Sequence, residues 1–172
     1  MKRIALLVAV CALVLVTTTW AEDKPAASIS VKVDNLSCSS ALGSGTFPIL
    51  AWSFGATQTG DLSGGGGGGA GKAVGSDLNV QKRFDECSPA LFGGVTTGKH
   101  FPTATLVQQD QKKNSVMIVT LTDLLIRSYQ LSGSQADANP VERVSFNFSK
   151  ICISDVQSGK QACFDFKAQK AD

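Results

Sequence analysis

Residues 66–72 offer the first candidate chemistry. Gly66-Gly67-Gly68-Gly69-Ala70-Gly71-Lys72 matches the opening of a phosphate-binding loop, in which glycine amides cradle phosphates and the lysine reaches the terminal one. That loop next needs a hydroxyl to hold magnesium, then a helix whose N-terminal amides complete the cradle. Position 73 is Ala73 and a strand pattern follows, so no nucleotide or other cofactor is expected. His100 is the sole histidine. A general base needs a partner to orient it, and although Asp77, Asp85 and Glu86 lie nearby in sequence, no spacing ties them to it. Lys99-His100-Phe101-Pro102 reads as a turn entering a strand. Ser39, Ser40 and Ser53 stand outside any Gly-x-Ser-x-Gly elbow. Asn35-Leu36-Ser37 and Asn147-Phe148-Ser149 fit the glycosylation triplet by chance. The expectation is a protein that is not an enzyme, with no catalytic residues.

The cysteines are more informative. Cys38, Cys87, Cys152 and Cys163 follow a start that reads as an export signal, and an even count in an exported chain favours disulfides. There is no Cys-x-x-Cys pair and no histidine near any of the four, so no metal is expected. Cys152 and Cys163 flank a turn at Gln157-Ser158-Gly159-Lys160. Antiparallel pairing across that turn brings them opposite or one step off, and a three-residue loop or a bulge would align them. Four cysteines allow three connectivities. Hairpin proximity favours Cys152–Cys163, with Cys38 then joined to Cys87.

The elements that must position these residues begin after the export signal. Lys2 and Arg3 precede an apolar run, Ile4 to Val16, and Thr19 and Ala21 suit a signal peptidase. Residues 1–21 are therefore read as a signal peptide and residues 22–27 as a leader. Residues 28–172 make a single domain, exported to the periplasm or beyond, with no membrane span in the mature chain. Without Lys2 and Arg3, the 16 basic side chains of the full chain fall to 14 and equal the 14 acidic ones. A neutral surface argues against nucleic acid as a partner.

Ser28 to Asp34 alternates as a half-buried strand does. Asn35 to Gly45 reads as a loop and Phe47 to Gly55 as a strand. Gly60 to Gly75 is a low-complexity segment that is mobile when alone. Leu78 to Phe84 alternates again. Ser88 reads as the N-cap of a short helix with Pro89 at its first position, weakened by Gly93-Gly94 and ended by Gly98. Further strands are read at Thr103 to Val107, from Val116 onward, through Val144, Phe146 and Phe148, and in a final hairpin. The fold class is all-β with one short α-helix, as a small barrel or two-sheet sandwich. Trp52 and Phe54 share a strand face, and with Phe47 they would make either core or a ligand platform.

In order along the chain come Leu50-Ala51-Trp52-Ser53-Phe54-Gly55, Gln58-Thr59-Gly60, the glycine run to Ala70-Gly71-Lys72, and Asp77-Leu78. Ser88-Pro89-Ala90-Leu91, Gly98 to Ala104 and Glu142-Arg143-Val144-Ser145-Phe146-Asn147-Phe148 follow. This order resembles that of the Hcp family, the haemolysin-coregulated proteins of type VI secretion, over residues 28–154. The resemblance implies a small β-barrel flanked by a helix. It also implies self-association into hexameric rings that stack into a tube, small effector cargo in the lumen, and no catalytic residues. An extended ring-stacking loop is implied at Gly60, Gly64, Gly65, Gly66, Gly67, Gly68, Gly69, Gly71 and Lys72. Family members typically lack a signal peptide, and the four cysteines are not a family hallmark. The alternative reading is a free-standing exported β-domain that binds a ligand or partner as a monomer.

Overall fold

A computed structural model describes residues 27–60 and 71–171. Residues 1–26, which hold the signal peptide and all of the leader but Ala27, lie outside the described residues, as do Gly64 to Gly69. The elements are β1 (Ser28–Val33), β2 (Ser39–Ser40), β3 (Gly43–Ser44), β4 (Thr46–Pro48), β5 (Ala51–Ser53), β6 (Ala56–Gln58), β7 (Ala73–Gly75), β8 (Leu78–Arg83), α1 (Ser88–Thr97), β9 (His100–Gln109), β10 (Ser115–Ser134), β11 (Asp137–Asp155), β12 (Lys160–Asp165) and β13 (Lys170–Ala171). The fold is all-β with one short helix.

The long strands β10 and β11 pair with each other over most of their length and serve as the spine. One edge of β10 takes β9, which pairs with β1, which pairs with β4. The free edge of β11 is shared. Its first half takes β8 through Val141–Phe146, and its second half takes β12 through Lys150–Asp155. The sheet curls without closing by strand pairing. Adjacent residues span the remaining gap, with the Ile49 amide donating to Ile29 O on β1 and the Leu50 amide to Gln81 O on β8. The expected continuous strand from Phe47 to Gly55 is therefore two pieces, β4 and β5, bent at Ile49–Leu50 because they pair with opposite sides of the curl.

Alternation explains the core. Val31 and Val33 of β1, Leu78 and Val80 of β8, Leu106 of β9, Leu121 of β10 and Phe146 of β11 all point into the curl and are buried. Each such side chain contributes roughly 1.5–3 kcal/mol by leaving water. Phe47 is fully buried among them.

The helix N-cap is Cys87, one residue before the expected Ser88, and Cys87 makes no side-chain cap bond. Ser88 is instead drawn inward, where its hydroxyl accepts from the Asp85 amide at 2.8 Å. Gly98 ends the helix in the left-handed conformation, as expected. The glycine pair has a positive use as well. A Cβ at Gly94 would lie 2.9 Å from Ile126 Cδ1 and 3.3 Å from Phe101 Cζ, so glycine lets α1 sit close against β9 and β10. The segment Asn35 to Gly45, read as loop, contains the small β2–β3 hairpin, and Ala73–Gly75 within the segment read as mobile is the paired strand β7.

Candidate functional site

Two places on this fold combine unusual chemistry with defined geometry: the root of the glycine loop, and a buried ion cluster under α1. At the loop root, β6 and β7 pair as a two-stranded ribbon, Ala56 opposite Gly75 and Gln58 opposite Ala73. Beyond it Thr59 and Lys72 pinch the chain: the Thr59 amide and hydroxyl donate to Lys72 O, and the Lys72 amide donates to Thr59 Oγ1 at 3.0 Å. Gly60 and Gly71 meet so closely that a Cβ at Gly71 would collide with the Gly60 and Thr59 backbone.

The ribbon is fastened to the C-terminal hairpin. The Gln169 side chain accepts from the Ala73 amide at 3.0 Å and donates to Ala73 O at 3.1 Å, so its amide pairs with β7 as a neighbouring strand would. Gly75 packs against the Phe166 ring; a Cβ there would lie 2.6 Å from Phe166 Cζ. Phe54, Phe148, Phe164 and Phe166 form one aromatic cluster beneath it, with centroid separations of 5.0 to 6.5 Å. Gly60, Gly71 and Lys72 thus sit together at a fixed root, while Gly64 to Gly69 belong to the stretch outside the described residues.

The second place is one that sequence reasoning missed. Lys82 and Glu142 are direct partners across β8 and β11, and both are fully buried. Lys82 Nζ lies 3.0 Å from Glu142 Oε2, 2.8 Å from Asp85 Oδ1, 3.1 Å from Ser88 Oγ and 2.8 Å from Arg83 O. The Tyr129 hydroxyl donates to Glu142 Oε1 at 2.7 Å. Burial, then that hydrogen bond to a carboxylate, pushes the Tyr129 phenol well above its ordinary range. Asp85 Oδ2 is buried without a hydrogen-bond partner. One ammonium faces two carboxylates here, and the cluster joins β8, α1, β10 and β11. Its signal was in the sequence: Lys82 shares the inward parity of Leu78 and Val80, and Glu142 that of Val144 and Phe146.

The structure joins Cys38 to Cys87 and Cys152 to Cys163, the connectivity that hairpin proximity favours. The route differs in detail. Asp155 pairs with Lys160 and Cys152 sits directly opposite Cys163, because the turn has four residues, Val156 to Gly159, not three. Gly159 supplies its left-handed position. The other sequence candidates stay apart. His100 Nδ1 lies 3.6 Å from Asp123 Oδ1 on the exposed surface. Ser39, Ser40 and Ser53 share no base. Phe47, Trp52 and Phe54 do not form one platform: Phe47 is core, Trp52 is half-buried and donates to Gln108 at 3.3 Å, and Phe54 belongs to the aromatic cluster. Among the described residues no group of three or more His, Cys, Asp or Glu is placed to hold a metal ion, and no helix is long and apolar enough to cross a membrane.

The family model described as "Type VI secretion system effector, Hcp" matches residues 37–154, from the β2–β3 segment to the end of β11. The chain belongs to the Hcp family. Protein hcp1 of Pseudomonas aeruginosa is 35% identical over 99 residues, covering 56% of this chain and 54% of that protein. The match therefore spans about half the length of that relative. Among solved structures, Hcp1 from Salmonella typhimurium superposes with a TM-score of 0.72 at 29% identity, covering 86% of this chain and 99% of that one. Hcp2 from Salmonella typhimurium gives 0.62 at 27% identity, covering 83% and 98%. The Hcp match includes the glycine loop and its root, Lys82, Glu142 and the Cys38–Cys87 pair; Cys163 lies beyond it.

Proposed function

We propose that this Hcp-family chain is a structural subunit that assembles into hexameric rings, and that Gly60, Gly64 to Gly69, Gly71 and Lys72 form the loop through which rings stack. The observation that carries this reading is the loop root. A glycine-rich segment has no stiffness of its own. Here its two ends are held by Thr59–Lys72 pairing, by Gln169 against β7 and by Phe166 against Gly75. A fixed root beneath a glycine-rich sequence suits a contact made outward to a neighbour while the body stays rigid. One repeated head-to-tail contact closes into a ring when its rotation permits.

Export by the residue 1–21 signal peptide, before assembly, goes with this reading, and the two disulfides suit an oxidising compartment. Ring lumens would take small effector proteins as cargo, and no catalytic role is assigned. Negative-stain electron microscopy of the purified mature chain tests the proposal. Six-fold rings, some stacked, are expected; particles of single-domain size at every concentration contradict it.

A further inference from the structure

We propose that the Cys38–Cys87 disulfide is a redox latch, whose opening by a dithiol releases α1 and the 34–46 segment from the buried Lys82 cluster while the β10–β11 spine stays folded.

Two pieces that lie outside the β10–β11 spine meet at this bond. Cys87 caps α1 without a side-chain hydrogen bond, and α1 has no acidic residue in its first turn, no basic residue in its last, and two glycines in its body. It thus lacks the charge terms and the side-chain N-cap that help hold short helices, and only its C-terminal end is capped, at Gly98. On the other side, the 34–46 segment carries the two-residue strands β2 and β3 and only the first residue of β4. It is tied to β1 by the Val33 amide donating to Gly45 O, the Leu36 amide donating to Val33 O and the Lys32–Thr46 pair, and to β9 by the Asp34 amide donating to Thr103 O. Lys99 Nζ donates to Asn35 O at 2.8 Å and Leu36 is buried. The bond joins these pieces across 49 residues of sequence. The residue after Cys87 is Ser88, whose hydroxyl touches Lys82 Nζ, so the latch sits one residue from the ion cluster. Cys152–Cys163 differs: it joins direct neighbours in a hairpin already paired along six positions, so the strand pairing holds these residues together without it.

The sulfurs are unequally accessible. Cys87 is fully buried and Cys38 only partly so, so an incoming thiolate reaches Cys38 Sγ. Attack there forms a mixed disulfide on Cys38. The electron pair of the broken S–S bond leaves on Cys87, which takes a proton from solvent. The second thiol of the dithiol then attacks the mixed disulfide, releasing Cys38 as a thiol and leaving the reagent as a cyclic disulfide.

Hydrogen exchange on the full mature protein under graded dithiothreitol, with alkylation mapping of each cysteine, tests the latch. Once Cys38–Cys87 is reduced, protection in 34–46 and 87–97 should fall by at least about tenfold, with β10 and β11 unchanged. A Cys152→Ser/Cys163→Ser double variant, still carrying the latch bond, should keep the protection of α1. A monothiol probe should trap on Cys38. Unchanged exchange after reduction, loss of protection throughout β10 and β11, or trapping on Cys87 would each overturn the proposal.

Discussion

Lys82 and Glu142 face each other across β8 and β11 with Nζ 3.0 Å from Oε2, and neither side chain is exposed to water. A buried ammonium between two carboxylates is tolerable only while its partners remain, because desolvation of an unpaired charge costs more than the pair's attraction returns. Lys82→Met strands Glu142 and Asp85 and is expected to lose about 3–5 kcal/mol of stability. Glu142→Gln keeps a hydrogen-bonding side chain beside Lys82 and Tyr129 and is expected to lose about 1–3 kcal/mol. Urea unfolding monitored by fluorescence measures both. A loss below about 1 kcal/mol for Lys82→Met would mean that water or protonation of the carboxylates makes up for the missing ammonium.

The root of the glycine loop gives a second expectation. At Gly75 the added methyl must displace the Phe166 ring, which other aromatics hold from below. Gly75→Ala is expected to cost about 1–3 kcal/mol as overpacking and to loosen β6 and β7. A second change, Phe166→Leu, should recover part of that loss. Thermal melts of the two variants separate the outcomes; an unshifted melting temperature for Gly75→Ala would remove Phe166 from the account of the root.

Much of this was legible in the residues. Period-two alternation located β1 and β8, and Gly98 located the end of α1. The cysteine positions about Ser158-Gly159 led to the Cys152–Cys163 pair. What was hidden depends on tertiary partners. The split of Phe47 to Phe54 into two strands follows from Ile49 and Leu50 bonding to different strands, which no local pattern records. Ser88 reads as a cap because hydroxyls usually serve there, yet a buried lysine and the Asp85 amide claim its oxygen. The Lys82 cluster was visible only as two charges at inward parity in separate strands, and their meeting required the β8–β11 register. Gln169 against Ala73 joins residues 96 apart in sequence, beyond any periodicity.

Acid should weaken the final hairpin turn. The Ser158 hydroxyl and then the Gln157 amide donate to Asp155, and these bonds hold its carboxyl below the ordinary value of 3.8. A carboxylate with a lowered folded-state value adds stability that is fully present above the ordinary value and lost as pH falls through the folded one. Amide protection at 155–160 should therefore be constant near neutrality and decline only below about pH 4. Carboxyl carbon NMR should show Asp155 titrating below 3.8. A midpoint above that value would contradict the turn's hydrogen bonding.

Deleting Gly64 to Gly69 tests whether the loop serves assembly or folding. The root closes at Thr59 and Lys72 without those residues, so the variant should melt within a few degrees of the parent. Ring stacking, seen by electron microscopy, should be lost. A deletion that unfolds the domain would show that the loop packs internally.

The central claim is self-assembly of this Hcp-family chain, and the mass of the particle in solution tests it most directly. Multi-angle light scattering of the purified mature protein, across a concentration series, is expected to give a particle of about six protomers, as a closed cyclic assembly requires. A clean monomer at every concentration would contradict the ring and leave a free-standing exported β-domain in its place.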